Sequence, residues 1–511
     1  MLFSSYAFIL AFLPVVLAVA AVAQRYGTRV LFTWLVLASL FFYGWWNPRY
    51  LPLILFSLAA NYMLGRLLSK YSGQAASGGR VLLAAGISLN LLLLGYFKYA
   101  NFFADTLGSL TGLSIGMVQV VLPIGISFFT FQQIAWLVDV RRGKASEHNF
   151  LHYALFVTFF PQLIAGPIVH HEDVLPQFMR KAGRLVTLRN LAIGVSVFSL
   201  GLVKKTLFAD NLALVADPVF HAAEQGQNLH FFLAWKGAFA YTLQLYFDFS
   251  GYSDMAIGLG RIFGIRLPVN FNSPYKATGI IDFWRRWNMT LSRFLRDYLY
   301  IPLGGNRLGK LRTLYNVMVT MLLGGLWHGA GWSFVLWGGV HGVLIVFNRL
   351  WRLLWGDPVN RWWSVGASRA LTFLTLVLTW VIFRAETLGG AATVFRGMIN
   401  LPAALESRLG VLAVWLGAVG FRFEGPFIQI ADLMSIVYWL AWMAALWLLP
   451  NTQEWMRVAG IETVDHSRSS RERGFLPAWA MRTPSAILLG IVFSIGFLGL
   501  SRVSEFIYFQ F

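Results

Sequence analysis

The most constraining feature of this chain is a recurrence of apolar runs of bilayer length. They fall at about 5–23, 29–46, 51–68, 81–97, 115–138, 190–203, 231–247, 331–348, 368–383, 433–449 and 484–500. Crossing a hydrocarbon core takes about 20 helical residues, and most of these runs meet or approach that length. Charged residues make up only 12% of the chain, half or less of the roughly 25% usual in a soluble domain, and mean hydropathy is +0.62. The expected fold class is an all-α polytopic integral membrane protein. Roughly 10–13 transmembrane helices are expected, with shorter Gly/Pro-broken segments that enter the membrane without crossing it.

The first run ends in "AVAAVAQ", small residues of the kind found at a signal-peptide cleavage site. No Lys or Arg precedes Arg25, so the charged leader of a signal peptide is missing and a retained helix is expected. The absence of cysteine excludes disulfides, thiolate metal sites and a cysteine nucleophile. The nine histidines are scattered without metal-ligand spacing, so no metal is expected. The net charge of +19 is the kind carried by cytoplasmic loops under the positive-inside rule, and no nucleic-acid partner is inferred from it.

Basic residues alternate along the early loops. Arg25 and Arg29, then Arg66, Lys70 and Arg80, then Arg141, Arg142 and Lys144 mark cytoplasmic loops; 47–50 carries only Arg49, and 98–114 is read as an outer loop in which Asp105 balances Lys98. The N-terminus is thereby expected outside. The next loop, 171–189, is again basic, with Arg180, Lys181, Arg184 and Arg189. The apolar stretch between two cytoplasmic loops cannot cross once. "FVTFFPQLIAGPI" at 156–168, broken by Pro161, Gly166 and Pro167, is therefore expected to be re-entrant and to border an internal, central cavity.

A polar interval follows at about 264–313. Trp284, Trp287, Leu291, Phe294, Leu295 and Tyr298 recur at helical spacing, with Arg285, Arg286, Arg293, Arg296 and Asp297 between them. A basic, aromatic amphipathic helix on the cytoplasmic face fits two roles, an interfacial anchor or a site for an anionic donor such as a coenzyme A thioester.

"GGLWHGAGW" at 324–332 places His328 in an uncharged, glycine-rich stretch. An ionisable ring at membrane depth is a functional-site hypothesis, and four glycines in eight residues permit a kink and close backbone approach. His341 lies 13 residues on; if one helix joined them, about 20 Å of rise would keep the rings apart, and a structural role is expected for His341. "YFDFSGYSDMAIG" at 246–258 carries Asp248 and Asp254, which do not share a helical face. Either could orient a histidine across helices or cap a break at Ser250–Gly251. No GxSxG, Walker or dinucleotide fingerprint is present.

Six blocks together resemble the membrane-bound O-acyltransferase (MBOAT) family, most closely its bacterial branch that acetylates exopolysaccharides such as alginate. They are "LPIGISFFTFQ" (122–132), "FFPQLIAGP" (159–167), "KKTLFADNLA" (204–213), "FDFSGYSDMAIGLG" (247–260), "FWRRWNMTLSRFLRDYLYIPLGGNR" (283–307) and "GGLWHGAGWSFVLWGGVHG" (324–342). The resemblance covers about 1–385 as a catalytic core and leaves 386–511 as C-terminal helices with a polar loop at 450–482. It implies His328 as catalytic base and Asn288 as the second active-site residue, where the exopolysaccharide branch usually has histidine ("RRWH") and other branches have asparagine. Trp287, Arg285, Arg286, Arg293, Arg296, Trp327 and Asp254 are candidate donor-binding residues, and Asp248 joins His341 as structural. The resemblance further implies acetyl-CoA as a substrate with no bound cofactor, and a multi-pass location in a bacterial inner membrane among lipids. The partners it implies are a periplasmic acetyltransferase and exopolysaccharide synthesis and secretion proteins. D-alanyl transfer to teichoic acid, acylation of peptidoglycan, and polysaccharide or lipid-linked sugar transport remain the competing readings.

Overall fold

The computed structural model describes residues 1–73, 77–112, 121–145, 149–179, 185–356, 361–456, 480–502 and 506–507. Most of the loop expected at 450–482, with His466, lies outside these residues, as do His148, Arg180, Lys181 and Arg184. The longer helices are α1 (Ala7–Tyr26), α2 (Thr28–Gly44), α3 (Pro48–Ser69), α4 (Ser77–Thr111), α5 (Ile126–Arg141), α6 (Phe150–Thr158), α7 (His171–Met179), α8 (Leu188–Glu224) and α9 (Phe231–Ile262). After them come α10 (Ile280–Trp284), α11 (Met289–Leu295), α12 (Lys310–His328), α13 (Trp332–Trp355), α14 (Trp362–Arg384), α15 (Leu388–Met398), α16 (Ile430–Leu448) and α17 (Thr483–Leu498). Among the described residues, eight helices are long and apolar enough to cross a bilayer. The protein is an all-α, multi-pass membrane protein; its strand content is a two-stranded parallel ladder, Asn400–Pro402 with Arg422–Gly425.

Of the three apolar runs that are not among these spans, 29–46 forms the 17-residue α2, 115–138 lies partly outside the described residues, and 231–247 is a central helix. The run at 231–247 is the first half of α9, a 32-residue helix that is buried without interruption from Ala240 to Ile262. A helix enclosed on every side is the centre of the protein rather than a lipid-facing span. Its two carboxylates are paired internally. Lys204 donates to Asp254 at 2.6 Å, and Lys205 lies 2.7 Å from Asp248 and 2.8 Å from Asp210. No break occurs at Ser250–Gly251: the glycine is there because α8 passes so closely that a Cβ would meet the Gly201 carbonyl oxygen at 2.8 Å. Capping of a break, one of the two expectations for Asp248 and Asp254, is thus corrected.

Two further expectations change. Residues 81–111 do not divide into a span and an outer loop, because α4 runs through a π-helical turn at Gly95–Tyr99 and carries Lys98 on the helix. The stretch 283–300 is not one amphipathic surface helix either. It breaks after α10 at Asn288, whose φ of +41° is left-handed, and resumes as α11 and a π-helical turn at Arg296–Tyr300.

Loops at one end of the bundle are tied in pairs. Gln24 exchanges hydrogen bonds with the backbone of Val186 at 3.1 and 3.2 Å, and Arg141 donates to the Tyr71 carbonyl at 2.8 Å. Between Lys144 and His171, whose ring contacts the Lys144 carbonyl at 3.1 Å, the chain leaves this end and returns to it. On the way it forms α6 and a helical turn at Phe160–Leu163, and residues 153–171 are buried throughout.

Candidate active site

His328 is the last residue of α12 and is 4% exposed. The tight turn at 329–331 sends the chain back along α13, and the two helices touch backbone to backbone. A Cβ on Gly338 would meet the Met321 carbonyl oxygen at 2.3 Å, and one on Gly325 would meet that of Phe334 at 2.3 Å. Glycine at this crossing brings Trp337 against the imidazole, edge to face at 5.2 Å, with Phe383 of α14 at 5.3 Å and Trp327 at 5.0 Å.

The ring lines a cavity of about 590 Å³. Its walls come from the chain start (Met1, Ser5), the end of α2 (Trp45, Trp46) and the start of α5 (Gly125, Ser127), so the cavity belongs to the bundle end that holds the N-terminus. Lys98 and Trp327 share its lining with His328. Tyr99 donates to the Leu326 carbonyl at 2.9 Å, and Lys98 Nζ donates to those of Trp327 at 2.5 Å and His328 at 3.2 Å.

His341 lies on α13, not on a helix shared with His328, so the spacing argument made from one helix does not apply. The two rings flank Trp337, which is 4.6 Å from His341. Thr379 spends its proton on the Leu376 carbonyl and so accepts from His341 Nε2 at 3.2 Å, while Nδ1 accepts from Trp284 at 3.3 Å. Both nitrogens of a neutral, 0% exposed ring are used internally, as a packing role requires.

Asn288 is 2% exposed, and its Nδ2 has no protein acceptor among the described residues. The left-handed backbone is held from both sides, by Met289 donating to the Asn270 carbonyl at 3.0 Å and by Asn272 donating to that of Arg286 at 2.9 Å. Trp287 stacks among Phe283, Tyr275 and Trp380 and is 1% exposed, so it walls the core instead of facing a solvent-borne donor. Trp380 lies against Trp337 at 5.6 Å, which links Asn288 and His328 through one wall of indoles. On its other side Trp327 stacks on Phe131, which stacks on Phe294 of α11 at 4.2 Å.

The arginines expected at a donor site divide. Arg286 pairs with Asp282 at 2.9 Å and Arg296 with Asp297 at 2.7 Å. Arg293 bridges Asp173 and Glu172 at 3.0 and 2.7 Å. Burial works against the Arg293 charge, but these carboxylates outweigh it and raise its pKa above the ordinary guanidinium value. Arg285 is exposed, with no carboxylate partner among the described residues. Asp254 is far from open: Lys204, Thr452 and Gln453 all donate to it at 2.6 to 2.9 Å. Neither it nor Asp248 orients a histidine among the described residues.

Sequence reasoning passed over two groups. Lys98 and Tyr99 were assigned to a loop, although apolar residues resume at 102–103 just past them. At the opposite end from the cavity, Asp139 receives the Tyr298 hydroxyl and lies 3.2 Å from His171 Nδ1. Burial opposes a charge on His171, yet the Asp139 hydrogen bond and charge, the Lys144 carbonyl and Glu172 prevail and raise its pKa.

The result is a helical membrane protein hollowed from one face down to a buried imidazole, with a second buried amide joined to it through one aromatic wall. The chain belongs to the MBOAT, membrane-bound O-acyltransferase family, whose model matches residues 81–365, and it is an O-acyltransferase. It is 44% identical to the peptidoglycan O-acetyltransferase of Helicobacter pylori over 78% of this chain and 80% of that protein. To the protein of Pseudomonas putida named "Probable alginate O-acetylase AlgI" it is 38% identical over the whole of both chains. It is also 30% identical to the teichoic acid D-alanyltransferase of Bacillus subtilis over 52% of this chain and 69% of that one.

Proposed function

We propose that the protein transfers an acetyl group from acetyl-CoA, taken up at the end carrying the basic loops, to a hydroxyl of a secreted glycan presented at the cavity end. The observation that carries this is the position of His328, buried and open to a cavity on the N-terminal side. The His328 imidazole takes the acceptor's hydroxyl proton as its oxygen attacks the thioester carbonyl. The tetrahedral oxyanion is met by the Asn288 amide, and collapse expels the thiolate, which regains a proton from the imidazolium. Because the basic loops gather at the opposite end, the positive-inside rule supports an outer position for the cavity and the N-terminus in a bacterial inner membrane.

Two relatives in which acetyl is the named group, at 44% and 38% identity, support acetyl over D-alanyl, whose relatives reach 29–30% over about half of this chain. The acceptor is an exopolysaccharide of the alginate or cellulose kind, presented at the cavity with the help of a periplasmic acetyltransferase partner and the synthesis and secretion proteins. The first test is release of coenzyme A and label transfer from radiolabelled acetyl-CoA, wild type beside His328→Ala, with exopolysaccharide and peptidoglycan as separate acceptors. Transfer to exopolysaccharide, lost by about 10²–10⁴-fold in the variant, is the expected result for a general base. Full transfer by a folded His328→Ala protein sinks the mechanism, and transfer to peptidoglycan alone replaces the acceptor.

A further inference from the structure

The end of α12 poses a problem that the reaction chemistry does not answer. The last four carbonyls of a helix have no partner within it, and here they close a buried turn in which Trp327 and His328 are each 4% exposed. The segment beyond, Gly329 to Gly331, has extended glycines at φ of −160° and −163°, so local chain stiffness does not fix the last turn. Three consecutive carbonyls are instead met by two consecutive residues, Tyr99 on Leu326 and Lys98 on both Trp327 and His328. The π-helical turn at Gly95–Tyr99 makes this reach local to one bulge in α4, a distortion that often marks functional positions.

The choice of a lysine is informative. A cation inside a membrane protein is expensive unless paired, and among the described residues no carboxylate pairs with Lys98. Its compensation is the negative end of α12, where the helix dipole favours a cation, and the face of Trp327 at 5.8 Å. A hydroxyl would cap one carbonyl without that desolvation. The Lys98 amino group grips two at once, one of them the carbonyl of the reacting histidine, and lines the same cavity as its ring.

From this geometry we infer that Lys98 is a positioning residue for His328: by clamping the Trp327 and His328 carbonyls it fixes the last turn of α12, and with it the direction of the imidazole toward the acceptor. The inference rests on His328 being the base. It concerns the aim of the ring rather than contact with either substrate, so it separates kcat from donor binding. A base must come within hydrogen-bond reach of the proton it removes, and a displacement of about 1 Å can lower turnover by about 10²-fold.

The test uses the full-length protein in detergent and compares wild type, Lys98→Met, Lys98→Arg and His328→Ala for acetyl transfer from acetyl-CoA, each rate expressed per monodisperse protein. Lys98→Met is expected to lose about 10- to 100-fold in kcat with the donor KM unchanged, and Lys98→Arg, which keeps charge and donors, to recover much of the loss. Lys98→Gln replaces the methionine variant if that one does not elute as wild type. A wild-type kcat in an uncharged variant, a change in KM alone, or no recovery with arginine overturns the inference. So does failure of both uncharged variants to fold, which assigns Lys98 to stability alone. Activity retained by His328→Ala would overturn the underlying reading instead, so the two failures are distinguishable.

Discussion

Lys98 and His328, 230 residues apart in the chain, meet at the wall of one cavity, with Nζ of the lysine donating to the histidine's own carbonyl at 3.2 Å. The contact joins the N-terminal helices to the α12–α13 pair at the point where chemistry is proposed, so the site depends on two distant parts of the chain folding onto each other.

Asn288 allows its backbone and side-chain roles to be measured apart. Its φ of +41° disfavours alanine by roughly 1–2 kcal/mol, whereas glycine adopts it freely. Asn288→Gly therefore removes the amide without backbone strain and is expected to lower kcat by about 10²–10³-fold, the usual loss for an oxyanion donor. Asn288→His, which keeps an N–H, is expected to retain activity. A wild-type kcat in Asn288→Gly would remove the residue from the mechanism.

The Gly325–Gly338 crossing leaves no room for a methyl group. Gly338→Ala pushes a Cβ toward the Met321 carbonyl, 2.3 Å away before relaxation, and overpacking of this kind costs about 1–3 kcal/mol. The expected outcome is a lower melting temperature in detergent together with a lower kcat, since Trp337 and His328 are carried by the two helices. An unchanged melting curve would show that the crossing is looser than described.

His341 provides the opposite control. His341→Leu leaves the Trp284 indole N–H buried without its acceptor, a loss of about 1–3 kcal/mol. Turnover per folded molecule is expected to stay near wild type. Abolished turnover with an unchanged melting temperature would give His341 a chemical role.

The His171–Asp139 pair sets a pH dependence of stability at the end opposite the cavity. The folded pKa of His171 lies above its ordinary 6.5, so this stabilisation is complete below 6.5 and fades as pH rises through the folded value. Asp139, held below its ordinary 3.8 against the effect of burial by hydrogen bonds from His171 and Tyr298, stays ionised throughout that window. Melting temperature is expected to fall as pH rises above 6.5 in the wild type and to fall less in His171→Gln. Parallel curves for the two proteins would rule out this linkage.

Much of the architecture was legible because hydropathy over about 20 residues reports the membrane directly. His328 stood out for a related reason: a lone polar ring among apolar and glycine residues is conspicuous. What escaped was whatever depends on pairing between distant segments. Lys98 looked like a loop charge because a cation in a helix is noticed only once its partner is known, and that partner is a row of carbonyls 230 residues away. Asp248 and Asp254 were open to a histidine-orienting role until Lys204 and Lys205 appeared beside them. The 283–300 periodicity was real, but the left-handed turn at Asn288 divides it. Trp284 and Trp287 then face the indole wall, and Phe294 faces the stack below Trp327.

Trp327 is common to the cavity lining and to the stack of Phe131 and Phe294 beneath it. Along this line the cavity is floored by a few aromatic faces in dispersion contact. The seal is therefore only as tight as their packing. Trimming Trp327 to alanine in a liposome is expected to reveal this as a proton leak, a phenotype of insulation rather than of chemistry.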